Sequence, residues 1–303
     1  MSDEGAVLAP LIGVGLVRRL VEAQFPRWAD LPVVAAVPQG WDNRSFRLGD
    51  ALVVRLPSAA GYAAQVDKEN RWLPVLAPRL PLPVPVPVAC GAPGHGYPWS
   101  WLVYQWIDGQ PAATGAVSDL SEFATTLAGF LSALQSIDAA GGPAPGPHNF
   151  WRGGPLTTYA EETLSAVDTL GGEIPRDAVL AVWRDAVAAS WRGEPSWLHG
   201  DVAAGNLLVR DGRLAAVIDF GSCAVGDPAC DVVIAWTLLA GASRQAFRSA
   251  LAADDRTWAR GRGWALWKAL ITLVDCLEHD PPAAEQPRRV IEQVLADHAR
   301  QTT

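Results

Sequence analysis

The residues best suited to chemistry lie in one short segment of the chain. Asp201 closes the run Trp-Leu-His-Gly-Asp, Asn206 follows after four further residues, and Asp219 opens an Asp-Phe-Gly thirteen residues later. A carboxylate at Asp201 can accept a proton from a hydroxyl group. The amide oxygen of Asn206 and the carboxylate of Asp219 are hard ligands of the kind Mg²⁺ prefers. This order and spacing are those that phosphoryl transfer from ATP requires.

Two predicted strands position these side chains. The apolar runs 207–209 and 214–218 are joined by the turn sequence Arg-Asp-Gly-Arg, which indicates a hairpin. Such a hairpin begins next to Asn206 and ends next to Asp219, so it brings both to one end of a small sheet. His-Gly-Asp alone is a common tripeptide, and Asp-Phe-Gly alone can be an ordinary turn. The joint match of spacing and flanking strands favours a kinase site.

The segment, continued by Gly226-Asp227-Pro228 and Asp231, resembles the aminoglycoside phosphotransferase family. That family has the protein-kinase-like fold and includes choline, macrolide and homoserine kinases. The resemblance is most specific over residues 197–236 and extends more weakly from about residue 33 to the C-terminus.

The resemblance implies a role for each matching residue. Asp201 would be the catalytic base, and Asn206 and Asp219 would hold Mg²⁺, with ATP as the phosphate donor. His199 and Asp231 would give structural support, Asp231 being the carboxylate that ties a helix to the catalytic loop.

Length and composition indicate a globular protein. The chain has 303 residues, half of them hydrophobic, which is enough for two lobes of ~100–200 residues each. No apolar run reaches the ~18 residues of a membrane helix, and the N-terminus begins with acidic residues where a signal peptide would be basic. We therefore expect a cytoplasmic protein with no membrane partner.

The four cysteines show no Cys-x2-Cys pair, so we expect small buried thiols and no structural zinc. They are Cys90, Cys223, Cys230 and Cys276.

The net charge of −8 is unevenly distributed. Residues 1–106 carry a balance of +1 and residues 107–303 a balance of −9. An acidic second half argues against nucleic-acid binding and is compatible with a cationic small-molecule substrate. It is equally compatible with a surface that is acidic only for solubility.

Residues 1–106 predict a nucleotide-binding lobe with a five-stranded antiparallel sheet. A helix is predicted first, at 8–25, and a second helix at 61–76 is followed by a proline-rich extended stretch at 79–87. The predicted strands are 33–37, 43–48, 51–56, 88–90 and 101–106.

Residues 107–303 predict a mainly helical second lobe that carries the catalytic hairpin and the substrate site. The fold class is therefore α+β, a two-lobed kinase-like fold. The Gly- and Pro-rich span 139–155 is predicted to be a loop. The predicted helices are 118–138, 156–169, 176–191, 228–240, 243–252, 255–278 and 283–300.

The candidate nucleotide site contains one departure from the family pattern. The third strand should carry a lysine paired with a helix glutamate, but Arg55 occupies that position, with Glu69 as its natural partner. Arg keeps the positive charge and can grip phosphate with a bidentate fork, although its geometry differs from that of an ammonium group. The alternative is a weakened or inactive kinase.

Two further segments are assigned to ATP. The loop Pro38–Ser45 would cover the phosphates with its backbone amides and Ser45, or it is an ordinary hairpin loop. By resemblance, the stretch 102–109 is the hinge, in which the backbones of Gln105 and Ile107 would bind adenine. The alternative is a plain edge strand.

The substrate side is less specific. Trp264 and Trp267 are at helical spacing, which is more typical of core residues than of a pocket. The candidate acceptor-side carboxylates are Glu161, Glu162, Asp227, Asp254, Asp255, Asp275 and Glu278. Three functions remain open: an antibiotic-type phosphotransferase, a metabolic kinase of an amino alcohol or sugar, and a nucleotide-binding pseudokinase.

Overall fold

The computed structural model describes residues 11–37 and 39–302. Residues 8–10 of the first predicted helix, the acidic start of the chain and Pro38 of the predicted phosphate loop lie outside the described residues. The chain divides into two compact units. Of the described residues, the first unit comprises 11–37, 39–79, 83–108 and 219–221, and the second comprises 80–82, 109–218 and 222–302.

The first unit contains the predicted five-stranded antiparallel sheet. Its strands lie in the order β1-β2-β3-β5-β4, and every neighbouring pair is antiparallel. The elements in chain order are α1 (Val14–Gln24), β1 (Val33–Ala35), β2 (Asn43–Leu48), β3 (Leu52–Pro57), α2 (Ala60–Leu76), β4 (Pro87–Gly91) and β5 (Trp101–Gln105). In the proline-rich stretch before β4, Arg79 ends a 3-10 helix and residues 80–86 form neither helix nor strand, because proline removes backbone donors that a helix needs.

Side chains alternate between the two faces of this sheet. On one face Val54 and Val103 join a buried cluster that also includes Leu20 of α1 and Trp101. Because successive strand residues point to opposite faces, Arg55 lies on the other face. The register pairs it with Ser45 on β2 and with Leu102 on β5.

The second unit combines helices with two small sheets. One sheet has the order β6-β8-β9, and the other pairs β7 with β10, both antiparallel. The β8–β9 pair is the predicted hairpin. The strands are β6 (Gln110–Pro111), β7 (Ser196–Leu198), β8 (Leu207–Arg210), β9 (Arg213–Val217) and β10 (Ala224–Gly226). The helices are α3 (Leu120–Gln135), α4 (Ala160–Leu170), α5 (Arg176–Ala188), α6 (Ile234–Thr237), α7 (Gly241–Leu251), α8 (Asp255–His279) and α9 (Glu285–Thr302).

The long helix α8 forms much of the interior of the second unit. Trp258, Trp264 and Trp267 are buried along it, so the prediction of core tryptophans at helical spacing is correct. Tyr159 packs its ring 4.0 Å from that of Trp267. Within the described residues, no helix has the length and apolar character needed to cross a membrane.

One predicted helix is wrong in type. The segment 228–240 forms a 3-10 helix at Pro228–Val233 and only a short α6. The run Val232-Val233-Ile234 is β-branched, and such side chains lose rotamer freedom in an α-helix. Asp227 caps the 3-10 segment by accepting a hydrogen bond from the backbone N–H of Ala229 at 3.1 Å.

The cysteines are all free thiols. Three of them are buried as predicted, but Cys90 is exposed. Cys90 lies on β4, which is an edge strand of the first sheet, so one face of its side chain reaches solvent.

Gly91 provides a test of packing in the first unit. A Cβ atom added there would lie 2.0 Å from the indole ring of the fully buried Trp101, so Gly91→Ala must displace that ring. We expect a loss of about 1–3 kcal/mol in the free energy of unfolding, measured by urea denaturation. In the matched control Gly129→Ala, the new Cβ meets nothing within 4 Å on the exposed face of α3. We expect the control to be neutral or to stabilise by up to about 1 kcal/mol. Equal stability of both variants would contradict the packing argument.

Candidate active site

The loop after β7 carries Asp201 at the surface of the second unit. Asn206 donates from its amide nitrogen to Oδ2 of Asp201 and to the Asp201 carbonyl, both at 2.9 Å. These bonds fix the direction of the Asp201 carboxylate while leaving the residue exposed. A carboxylate that is oriented and accessible is suited to accept a proton from a bound hydroxyl.

A buried carboxylate, Asp231, binds the backbone of this loop. Asp231 accepts hydrogen bonds from the backbone N–H groups of His199 at 2.8 Å and Gly200 at 2.7 Å. Burial raises the pKa of Asp231, although His199 and the two amide donors oppose that rise. The family resemblance implies that Asp231 ties a helix to this loop, and the residue lies in the 3-10 segment 228–233 that precedes α6.

Gly200 is the point at which the loop turns most sharply. Its φ is +85°, a left-handed conformation that favours glycine. A Cβ there would also lie 2.3 Å from the backbone oxygen of Ser222. Any other residue at this position would therefore strain the backbone and clash with Ser222.

His199 is buried and links the loop to the end of β9. The N–H of Asp201 donates to its Nδ1 at 3.2 Å, so the ring proton is on Nε2, which donates to the carbonyl of Ile218 at 3.0 Å. The backbone N–H of Ile218 in turn donates to the carbonyl of Asn206 at 2.9 Å. The loop that carries Asp201 and the β8–β9 hairpin are thus connected by both backbone and side-chain hydrogen bonds.

Asp219 begins the short segment that belongs to the first unit. Its φ is +67°, an uncommon value for a non-glycine residue and typical of strained functional positions. Oδ1 of Asp219 accepts a hydrogen bond at 2.7 Å from Nη2 of Arg55, whose Nη1 lies 3.8 Å from Oε1 of Glu69. The guanidinium group therefore lies between two carboxylates.

Electrostatics favour the charged form of Arg55. Burial by itself lowers its pKa, but the negative charges of Asp219 and Glu69 outweigh burial, and the pKa lies above its ordinary value. Burial raises the pKa of Glu69, and Arg55 opposes that rise. Arg55 is therefore a permanent cation in this cluster.

Two residues of this cluster were missed by sequence reasoning. Tyr104 donates its hydroxyl to Oε2 of Glu69, and Lys68 donates to the carbonyl of Gly221 at 2.6 Å. Burial and the charge of Glu69 raise the pKa of Tyr104 well above its usual value. The available signals were the alternation of β5, which places Tyr104 opposite Val103, and the rarity of lysine in a chain with only two.

The other proposed nucleotide contacts are placed as follows. Ser45 lies within β2, where its N–H donates to Oε1 of Gln39 at 2.9 Å and its carbonyl accepts from Nε2 of Gln39 at the same distance. Gln105 is the last residue of β5, and Ile107 follows it outside the strand. These contacts stay predictions.

Several candidate acceptor-side carboxylates have structural partners. Asp227 is buried and forms two hydrogen bonds with Arg260, at 2.7 and 3.1 Å. Asp254 caps α8, and Glu162 accepts from the indole N–H of Trp267 at 2.6 Å. Asp227 is buried, whereas Asp254 and Glu162 are exposed, but each of the three carboxylates already has a structural partner, so they are weak candidates for substrate contacts.

Asn206 and Asp219 each carry a side-chain oxygen of the kind that Mg²⁺ prefers. Asn206 commits its amide nitrogen to Asp201, so its amide oxygen is the atom left to act as a ligand. Oδ1 of Asp219 accepts a hydrogen bond from Arg55, and the Asp219 side chain is 33% exposed. Oxygen donors of this hardness suit Mg²⁺.

Comparison with known proteins agrees with this geometry. A family model described as the phosphotransferase enzyme family, APH, matches residues 33–264. The chain therefore belongs to this phosphotransferase family, and it is a small-molecule O-phosphotransferase. A comparison with curated proteins found no match.

Solved structures of similar fold include antibiotic-modifying enzymes. The GDP and kanamycin complex of APH(2'')-IIia is 20% identical in sequence and has a TM-score of 0.73; the match covers 93% of this chain and 99% of the APH(2'')-IIia chain. The GDP complex of wild-type aminoglycoside 2'-phosphotransferase-IIIa is 19% identical, with coverages of 95% and 100% and a TM-score of 0.71. The apoenzyme of the macrolide 2'-phosphotransferase MphH from Brachybacterium faecium is 20% identical, with coverages of 92% and 97% and a TM-score of 0.61.

The Asp231 carboxylate can be tested by substitution. Asp231→Ala removes the acceptor of two buried N–H groups, and we expect a loss of about 1–3 kcal/mol for each amide left unsatisfied. Asp231→Asn keeps one acceptor oxygen and should lose less. Urea unfolding measures both. The exposed Asp211, whose φ of +51° asparagine tolerates, gives the control Asp211→Asn, which should be nearly neutral. Wild-type stability in Asp231→Ala would show that the loop does not depend on this carboxylate.

Proposed function

We propose that the protein transfers the γ-phosphate of ATP to a hydroxyl group of a small molecule in a reaction that depends on Mg²⁺. The observation that carries the proposal is the exposed Asp201 carboxylate, oriented through Oδ2 by Asn206. Asp201 accepts the proton of the acceptor hydroxyl as the new oxygen–phosphorus bond forms, while the bond from the γ-phosphorus to the bridging oxygen breaks and ADP leaves. Transfer is direct and in line, without a phosphorylated enzyme intermediate.

Arg55 takes the part of the lysine found at this position in the family. Its guanidinium remains charged under all relevant conditions because Asp219 and Glu69 stabilise the cation. Two N–H groups of a guanidinium can bind two phosphate oxygens together. Glu69, held by Tyr104, limits the orientations that Arg55 can adopt.

Asn206 and Asp219 are the proposed metal ligands. When bound, Mg²⁺ would neutralise charge on the β- and γ-phosphates. Ser45 is proposed to contact phosphate, and the backbones of Gln105 and Ile107 are proposed to bind adenine. In this proposal residues 1–106 form the nucleotide-binding lobe, and residues 107–303 contribute the catalytic loop and the substrate site.

The acceptor class is proposed to be cationic, as in an aminoglycoside-type antibiotic. The balance of −9 over residues 107–303 supports this class, as does the similarity in fold to a kanamycin complex. The proposed activity would confer antibiotic resistance from the cytoplasm. A metabolic kinase of an amino alcohol or sugar is the second candidate, because Asp227, Asp254 and Glu162 are occupied by structural partners.

A transfer assay separates these candidates. Purified protein would be incubated with ATP or GTP and Mg²⁺ over aminoglycosides, macrolides, choline and sugars, with product detected by mass spectrometry. Both donors are needed because similar structures contain GDP or ADP. Phosphorylated aminoglycoside would support the leading proposal, and phosphorylated choline or sugar would support the second. Nucleotide binding without transfer to any acceptor would indicate a pseudokinase.

Asp201→Asn tests the catalytic base. The amide cannot accept the hydroxyl proton, so we expect kcat to fall by about 10²–10⁴-fold while nucleotide affinity changes little. Steady-state kinetics and nucleotide titration measure the two quantities separately. Asp211→Asn is the control for loss of one negative charge. Retention of more than about a tenth of the turnover would exclude Asp201 as the base.

Arg55 tests the departure from the family pattern. We expect Arg55→Ala to raise the KM for ATP and to lower kcat by about 10²–10³-fold, because a cation that stabilises the phosphates is lost. Arg55→Lys should keep substantial activity, since its charge and its proximity to Glu69 survive. Wild-type kinetics in Arg55→Ala would mean that another cation, such as Arg44 or Arg47, holds the phosphates. Kinetics of Arg44→Ala and Arg47→Ala would then identify it.

A further inference from the structure

A cavity of about 380 Å³ lies in the second unit among helices α7, α8 and α9. None of its lining residues belongs to the candidate active site. Its charged and amide-bearing lining residues are Arg244, Arg248, Arg300, Gln245, Gln293, Gln301 and Asp297.

Three arginines but a single carboxylate line this cavity. Arg248 has a further carboxylate partner outside the lining, Asp255, and Arg244 also donates to the carbonyls of Ala235 and Leu239. Asp297 is the single carboxylate in its lining, and the arginines Arg244 and Arg300 approach it to 4.0 and 3.4 Å. Arg262 lies 3.3 Å from the same carboxylate. One negative charge is therefore shared by three guanidinium groups, in a half of the chain that is acidic as a whole.

Burial makes this excess of charge costly. The side chains of Arg244 and Arg262 are only 6% and 5% exposed. Burial lowers the pKa of both residues, and although Asp297 opposes this, Arg300 lowers the pKa of Arg244 further. Removing positive charge from water without equal negative charge is unfavourable, and a bound anion would restore the balance.

The neutral groups of the cavity are also oriented as donors. Gln293 accepts from Arg244 at 2.7 Å through its amide oxygen, and Gln301 accepts from Arg262 at 2.7 Å in the same way. Each glutamine therefore has its amide NH₂ left to donate. Gly241, the first residue of the eleven-residue helix α7, also lines the cavity and presents the positive end of the helix dipole.

We propose that this cavity binds a small molecule that carries a phosphate monoester or pyrophosphate group. Guanidinium forks, amide donors and a helix N-terminus are the groups that proteins use for phosphate oxygens. The volume lies within the ~300–1,000 Å³ of small-molecule sites. Because the site uses residues separate from Asp201 and Arg55, it does not depend on the proposed kinase function.

The test uses isothermal titration calorimetry on the full-length protein. Inorganic pyrophosphate and glycerol phosphate would be titrated into wild type, Arg300→Gln and Arg300→Glu. The Arg300 side chain is 63% exposed, so both variants should fold, which circular dichroism would check. We expect affinity to fall about tenfold in Arg300→Gln and further in Arg300→Glu. Tighter binding of glycerol phosphate than of pyrophosphate would indicate an organic phosphate as the ligand.

Two controls locate the binding. Arg289→Gln removes an exposed arginine from the same helix, α9, outside the cavity, and should leave the affinity unchanged. Arg55→Ala should also leave it unchanged, since Arg55 belongs to the other candidate phosphate site. Loss of binding in Arg55→Ala with retention in Arg300→Glu would overturn the proposal. Absence of binding of both probes to the wild type at millimolar concentration would overturn it as well.

Discussion

The ion pair between Arg55 and Asp219 is the interaction on which the first unit depends for its candidate function. Its Nη2–Oδ1 distance is 2.7 Å, and it joins a central strand of the sheet to a segment more than a hundred residues later in the chain. A buried cation needs compensation, and Glu69 and Asp219 provide it on two sides. Glu69 is in turn fixed by Tyr104. The Asp219 segment is held a second time through the bond from Lys68 to the carbonyl of Gly221.

In the second unit, the buried charge that needs stabilisation is negative and belongs to Asp231. Asp231 is a buried carboxylate whose oxygens accept hydrogen bonds from backbone N–H groups, so its negative charge is stabilised by the loop that carries Asp201. His199 extends the connection to Ile218 at the end of β9. The exposed Asp201 can therefore remain accessible while the backbone beneath it is rigid, which is what a preorganised base requires.

The remaining buried arginines of the second unit fall into two groups. Arg260 is matched by Asp227 with two hydrogen bonds, which is a balanced structural pair. Arg244 and Arg262 share Asp297 with Arg300, which leaves positive charge without an equal partner. The difference separates arginines that complete the packing of α8 from arginines that are suited to bind an anion.

The sequence by itself determined the elements and the order of the chemical groups. Strand alternation and turn residues predict the five-stranded sheet and the β8–β9 hairpin, because both depend on local periodicity. The spacing of Asp201, Asn206 and Asp219 follows from that hairpin. The pairing of Arg55 with Glu69 was also visible, since the two lie on a strand and on the helix that follows it.

The tertiary structure alone decided which polar groups meet across long separations. Tyr104 with Glu69, Lys68 with Gly221 and Asp227 with Arg260 are contacts between elements whose distance in the chain carries no local signal. The exposure of Cys90 followed from the position of β4 at a sheet edge. Local propensities specify elements, whereas burial and charge compensation are properties of the packed chain.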